Sequence, residues 1–205
     1  MMNKSIVVFF LILIGFTAVG YVLVEVFENN APLPVYGNEG HLVGEFSFTD
    51  QQNRLFESEK YNGKIWIVNS FFASCPIVCP KVMKNLQEVH DLMRNEESVV
   101  TISLTVDPKR DDPERLFEYA RKYNANNDSW FLLTGDKKAL YLVARKDFLM
   151  SASGGAGDEN DFIHSENIMI IDPDHRIRDI INGTDPGADQ NILNSVKKLR
   201  SEYKI

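Results

Sequence analysis

Apolar positions along the chain follow one pattern at the N-terminus and another in the remainder. Residues 6–24 carry no charged side chain, and these nineteen residues would span roughly 30 Å as a helix, the thickness of a bilayer core. Lys4 precedes the run and Glu25 follows it, so the positive-inside rule predicts a cytoplasmic N-terminus and an extracytoplasmic remainder. We expect residues 1–27 to form an uncleaved membrane anchor. The alternative is a cleaved signal peptide, although the apolar region of such peptides is usually shorter.

The rest of the chain alternates short apolar runs with amphipathic stretches, which predicts an α/β fold. Residues 28–44 hold two prolines and three glycines with little periodicity, and we expect a tether leading to a domain over residues 45–205. The predicted elements are a hairpin at 46–56, strands at 64–72, 99–106, 130–133, 168–171 and 177–181, and helices after residue 80 and at 113–123, 136–144 and 188–203. The predicted core face of the second helix is Leu116, Phe117, Ala120 and Tyr123. This order predicts a thioredoxin-like mixed sheet with flanking helices and an N-terminal β-hairpin.

The chain has two cysteines, Cys75 and Cys79, where the predicted strand 64–72 turns into a helix. Pro80 suits a first helical turn, and a helix start favours thiolate over thiol. Three interpretations compete: an inert disulfide or buried thiols, a redox-active dithiol, and a soft-metal site. Two thiolates suit Cu(I) or Zn(II), but structural zinc needs four ligands and there is no second cysteine pair. A copper site would need one more donor.

Of the four histidines, His164 is the candidate for that donor. It lies between a glycine-rich acidic stretch at 151–161 and the strand 168–171, in a segment that the inferred fold places opposite the cysteines. The alternative is a histidine at the rim of the core, bonded to the backbone. The other three are expected on the solvated surface: His41, His90 and His175.

Asp107 is a second candidate, because it follows the strand 99–106 at the sheet edge where α/β proteins form their sites. It could orient groups around the cysteines as an outer acid, or it could be only a turn residue before Pro108. The formal net charge of −7 argues against nucleic acid as a partner. Outside the cytoplasm the two cysteines would oxidise to each other unless they are kept reduced or hold a metal.

Several spaced motifs, in the same order, closely resemble the SCO/SenC family over about residues 41–203. They are Cys75-x-x-x-Cys79-Pro80, Thr105-Val106-Asp107-Pro108-x-Arg110-Asp111-x-Pro113-Glu114, Leu133-Thr134-Gly135, and His164-Ser165 ahead of Ile-x-x-Ile-Asp-Pro. The family's members are membrane-anchored, thioredoxin-like, copper-binding proteins that help to build the two-copper centre of cytochrome c oxidase subunit II. The resemblance implies that Cys75, Cys79 and His164 are the copper ligands and that Asp107 is the acid associated with the site. One departure is the apolar pair Ile77-Val78, where the family often has Asp-Ile.

The resemblance implies a copper metallochaperone in the inner membrane, with one membrane span and its domain on the periplasmic side. Reduced Cys75 and Cys79 would hold Cu(I) together with His164, and Cu(II) would use the same ligands plus an oxygen donor. The expected partners are subunit II, a copper donor protein and, through residues 6–24, the membrane. The chief alternative is a thiol–disulfide oxidoreductase that reduces the cysteines of subunit II, a role that can coexist with copper delivery. A membrane sensor of copper or redox state is a third hypothesis.

Overall fold

The computed structural model describes residues 13–17, 19–21, 31–125, 129–150, 163 and 165–205, which divide into two compact units at the Pro32–Leu33 junction. In the N-terminal unit, residues 13–17 and 19–21 are helical. Most of the predicted anchor lies outside the described residues. Among the residues that are described, no helix combines the length and the apolar character needed to cross a membrane.

In the second unit, the described residues form one seven-stranded sheet. The strands are β1 Ser47–Asp50, β2 Leu55–Glu57, β3 Ile65–Phe71, β4 Val99–Thr105, β5 Trp130–Thr134, β6 Asn167–Ile171 and β7 Ile177–Asn182. Their order in the sheet is β2-β1-β5-β4-β3-β6-β7. The central strands β3, β4 and β5 are parallel, whereas β1 pairs antiparallel with β2 and β5, and β6 pairs antiparallel with β3 and β7. The predicted hairpin at 46–56 is β1–β2, which extends the sheet beyond β5.

Four α-helices among the described residues cover the sheet: α1 Val78–Met93, α2 Pro113–Arg121, α3 Lys137–Leu142 and α4 Ala188–Tyr203. A single π-helical turn, Val143–Asp147, continues α3. The starts of α2 and α3 follow from the sequence, because Asp112 accepts a hydrogen bond from the Arg115 N–H and Asp136 accepts one from the Ala139 N–H. Gly187, with φ of 80°, makes the left-handed turn that begins α4.

The core consists of two layers, one on each face of the sheet. Successive residues of β3 point to opposite faces, so Ile65 and Ile67 pack with α1 and α4 while Trp66 and Val68 pack in the other layer. Every residue of β3, β4 and β5 is buried. Burial on both faces is typical of parallel strands and explains why these strands are rich in apolar and β-branched residues.

The face of α2 differs from the prediction. Phe117 is 40% exposed, whereas Tyr119 is buried together with Leu116 and Ala120. Leu116, Tyr119, Ala120 and Tyr123 follow the i, i+3, i+4, i+7 spacing of one helix face, which Phe117 does not fit. The prediction gave weight to the hydrophobicity of Phe117 over the period of the helix.

The three histidines expected on the surface are held against the domain. His90 is 4% exposed, and its ring lies 5.3 Å from that of Trp130. The His175 ring lies 4.9 Å from that of Trp66, and its Nδ1 is 3.1 Å from the Val43 carbonyl oxygen. His41 Nε2 is 2.9 Å from a backbone carbonyl oxygen at the end of the π-helical turn.

Residues 33–44 belong to the compact unit, although a tether was predicted over 28–44. The Tyr36 N–H donates to the Ile177 carbonyl at the edge of β7, and Val43 is buried. The Arg178 guanidinium donates to the carbonyl oxygens of Leu33 and Pro34. An irregular segment that is rich in proline and glycine can therefore still pack against a sheet edge.

Candidate metal centre

The loop between β3 and α1 carries the cysteine motif as predicted. Residues 72–77, the cysteine loop, follow the last residue of β3 and lead into α1 at Val78. Cys75 lies in this loop and Cys79 lies in the first turn of α1, ahead of Pro80. The Cys79 N–H donates to the Cys75 sulfur at 3.3 Å, and the Cys75 N–H donates to the Phe72 carbonyl at 3.1 Å. Both cysteines are free thiols, and the hydrogen bond from the Cys79 N–H joins them across the loop–helix junction.

The two thiols differ in environment. Burial acts to raise the pKa of Cys75, but hydrogen bonds from the backbone N–H groups of residues 77–79 bring that pKa below its ordinary value. Burial raises the pKa of Cys79 to about 12, and the neighbouring Cys75 sulfur adds to this shift. Cys75 is partly exposed, whereas Cys79 is 8% exposed. The site therefore combines one accessible, readily ionised sulfur with one buried sulfur that keeps its proton.

Both sulfurs line a cavity of about 350 Å³ whose walls are mainly apolar. The other lining residues come from β3, the cysteine loop, the start of α1, the residue after β4 and the segment before β6: Ser70, Phe71, Phe72, Val78, Val106, Ile163, Ser165 and Glu166. The Ser70 hydroxyl also donates to the Ser165 carbonyl at 3.4 Å. Ile163 and Ser165, which flank residue 164, thus line the same cavity as the two sulfurs.

His164 itself lies outside the described residues. Within the parts of the chain that the structure describes, no group of three or more histidine, cysteine or acidic side chains could hold a metal ion. Those parts contribute two soft sulfur donors on one cavity wall, a set that suits a copper ion and falls short of a structural zinc site. The assignment of His164 as the third ligand stays a prediction.

Asp107 lies at the predicted sheet edge, but its carboxylate pairs with Arg110, with Oδ2 and Nη1 3.3 Å apart. Its role at the sulfurs also stays a prediction. The acid that contacts the cysteine loop is Asp111, which is fully buried and accepts a hydrogen bond from the Ala73 N–H at 3.0 Å. In the sequence, Asp111 stands out only as one residue of the family motif that begins at Thr105. Its inward orientation can be inferred only after Asp112 has been identified as the residue that caps α2.

Tyr119 was also missed from the sequence. Its ring stacks on Phe71, with centroids 5.4 Å apart, and its hydroxyl is buried. Burial raises its pKa, and the adjacent Tyr123 and the two cysteine sulfurs raise it further. Tyr119 therefore belongs to the same core layer as Phe71 and Cys79.

The mixed sheet, its flanking helices and the cysteine loop at the start of α1 define a thioredoxin-like α/β protein. A model of the SCO1/SenC family matches residues 35–201, and the chain therefore belongs to that family. Both sequence expectations, the thioredoxin-like fold and the SCO/SenC resemblance, are confirmed.

Individual relatives agree with this assignment. The SCO1 protein homolog of Bacillus subtilis is 27% identical over 157 residues, covering 76% of this chain and 81% of the relative. BsSco is a member of the Sco family of cytochrome c oxidase assembly proteins, and a disulfide switch has been identified in it. Its structure superimposes with a TM-score of 0.66 at 25% identity, covering 80% of this chain and 96% of BsSco. Bradyrhizobium japonicum ScoI, solved with copper bound, superimposes with a TM-score of 0.61 at 23% identity, covering 78% of this chain and 98% of ScoI.

Proposed function

We propose that this protein is a copper metallochaperone for the assembly of cytochrome c oxidase, binding copper through Cys75, Cys79 and His164. The observation that carries the proposal is the shared cavity, which both sulfurs and both sequence neighbours of His164 line. Relatives in the SCO1/SenC family support the choice of metal and pathway, since ScoI has been solved with copper and BsSco belongs to a family of oxidase assembly proteins.

The environment of the sulfurs suits the binding and release of copper. Thiolates are soft ligands that favour Cu(I), and backbone N–H groups at the start of α1 stabilise the Cys75 thiolate. Copper then displaces the proton of the buried Cys79, so that binding releases protons. A site with only two sulfurs and one imidazole offers few ligands, and copper can pass from it to a recipient with more donors. The two-copper centre of subunit II is the proposed recipient, and a separate copper donor protein is the proposed source.

The surface around the sulfurs offers a contact for such a recipient. Ile77 is 63% exposed and Val78 is 40% exposed, and both lie between the two cysteines in the chain. An apolar rim excludes water as a partner docks and favours direct transfer between ligands. For the location, the charge-free run at 6–24 supports an inner-membrane anchor with the domain on the periplasmic side.

A second candidate function, thiol–disulfide exchange, is favoured by the asymmetry of the two thiols. An accessible sulfur of lowered pKa beside a buried sulfur of raised pKa is an arrangement in which one thiol attacks and the other resolves the mixed disulfide. This activity would need Cys75 and Cys79 but not His164. It could prepare the subunit II cysteines before copper arrives.

Metal analysis of the reduced full-length protein tests the copper proposal. The wild type should bind one copper per chain, and Cys75→Ala, Cys79→Ala and His164→Ala should each weaken binding severely, while the matched control His41→Ala should not. Full copper retention by the His164→Ala protein would refute the ligand assignment. Reduction of a disulfide-bonded subunit II peptide by the metal-free protein tests the second function, and His164→Ala should leave that rate unchanged.

A further inference from the structure

A buried carboxylate joins the cysteine loop to the neighbouring strand. Asp111 is 0% exposed, and its Oδ2 accepts hydrogen bonds from the Ala73 N–H at 3.0 Å and from the Thr105 hydroxyl at 2.6 Å. Ala73 lies two residues before Cys75, and Thr105 is the last residue of β4, paired in register with the last residue of β3. One oxygen atom therefore connects the cysteine loop with the end of the central parallel strand pair.

The segment that carries Asp111 is itself fixed around this carboxylate. The Thr105 hydroxyl accepts a hydrogen bond from the Asp107 N–H at 3.0 Å, and the Asp111 N–H donates to the Asp107 carbonyl at 2.9 Å. The Asp111 Oδ1 lies 3.5 Å from Nε of Arg115, in the first turn of α2. Burial raises the pKa of Asp111, and the Thr105 hydroxyl and the Ala73 N–H offset part of that shift. A buried carboxylate is costly for a fold to keep, which indicates that its contacts matter to the segments it joins.

We propose that Asp111 is a positioning residue that holds the cysteine loop against the end of β4 and thereby presents both sulfurs to the metal. The role rests on the proposed function, because it concerns the geometry of the same copper site. A soft-metal site needs its sulfurs held close to their final positions before the metal arrives. The Ala73 N–H fastens the cysteine loop to the segment that follows β4, whereas the Cys75 N–H bonds to Phe72 of the same loop.

Two substitutions separate this role from a general effect on stability. Asp111→Ala removes the acceptor for both donors, whereas Asp111→Asn keeps one carbonyl oxygen that can accept both hydrogen bonds. Asp50→Ala is the matched control, because Asp50 is an equally buried acid that accepts the Gln52 and Arg54 N–H groups at 2.8 Å, so that these side-chain hydrogen bonds stay within the β1–β2 turn.

Amide hydrogen exchange on the reduced, metal-free full-length protein measures how firmly the cysteine loop is held. Competition titration with Cu(I) measures the effect on copper affinity. Asp111→Ala should speed exchange across residues 73–79 about tenfold and weaken Cu(I) binding about tenfold, the equivalent of one lost charge-assisted hydrogen bond. Asp111→Asn should stay within about threefold of wild type in both measurements, since the acceptor is retained. Asp50→Ala should leave residues 73–79 and Cu(I) binding unchanged.

Equal exchange at 73–79 in the Asp111→Ala and Asp50→Ala proteins would overturn the assignment, as would an Asp111→Asn protein as impaired as Asp111→Ala. If Asp111→Ala does not fold, Thr105→Val provides the test, because it removes the hydroxyl that fixes the carboxylate. It should speed exchange at 73–79, and wild-type exchange there would count against the proposal. A wild-type protein that binds no Cu(I) would refute the proposed function, and the exchange comparison would still decide the role of Asp111.

Discussion

The contrast between the two thiols predicts that alkylation is strongly selective for Cys75. Burial raises the pKa of Cys79 from its ordinary 9.0 to about 12, so at pH 8 its ionised fraction falls from about one-tenth to about one ten-thousandth. A thiolate of higher pKa is the stronger nucleophile, which recovers roughly 15- to 30-fold of that loss. The two effects together leave Cys79 roughly 30- to 60-fold slower than an ordinary thiol, and its burial slows it further. Cys75, with its pKa lowered, should react faster than an ordinary thiol.

The assay is timed alkylation of the reduced, metal-free full-length protein with iodoacetamide at pH 8, followed by peptide mass spectrometry. Cys75 should be modified at least about 30-fold faster than Cys79. The Cys75→Ser protein serves as the control, because Cys79 should remain slow when it is the sole thiol in the chain. Similar rates for the two cysteines, or a faster Cys79, would refute the reasoning from burial and from the start of α1.

Three further predictions follow from named groups. Copper binding should weaken by at least about tenfold per pH unit as the pH falls from 8 to 6, because the Cys79 proton must leave; a competition titration that shows no pH dependence would contradict this. Arg178→Met should lower the free energy of unfolding by about 3–5 kcal/mol in urea titrations, because buried Arg178 pairs with Asp172 and Glu202. Arg121 is exposed, and as a control Arg121→Met should lower it by less than about 0.5 kcal/mol. Burial opposes ionisation of Asp172, but its hydrogen-bond donors bring its pKa in the folded protein below the ordinary 3.8. The stability that the ionised Asp172 provides is therefore present above pH 3.8 and is lost as the pH falls through the pKa of the folded state. An Asp172→Asn protein should therefore lose less stability than the wild type on acidification from pH 5 to pH 3, and equal losses would show that another group is responsible.

The sheet and the cysteine loop could be predicted because their signals are local. Val99–Thr105 is buried on both faces, and a strand of this kind is recognisable in a sequence as a short run rich in apolar and β-branched residues. The strand, the two cysteines and Pro80 are close together in the chain, so their order alone placed both cysteines where the strand turns into a helix. The spaced family motifs then identified the candidate metal ligands.

Features that depend on contacts between distant segments could not be predicted in this way. The burial of His90 depends on Trp130 on a separate strand, and the placement of Tyr36 depends on the edge of β7. Asp107 and Asp111 have similar sequence surroundings, and the inward direction of Asp111 follows from where Ala73 and Thr105 meet. Tyr119 differs, because the helical period of α2 identifies it and a stricter use of that period would have found it.

The identity of the atoms around the metal tests the central claim most directly. X-ray absorption at the copper edge should be measured on the Cu(I)-loaded full-length protein and on its His164→Ala variant. The wild type should show two sulfur neighbours and one imidazole nitrogen, and the variant should lose the imidazole contribution while keeping both sulfurs. A wild-type copper shell without sulfur, or an imidazole signal that persists in the variant, would contradict the account.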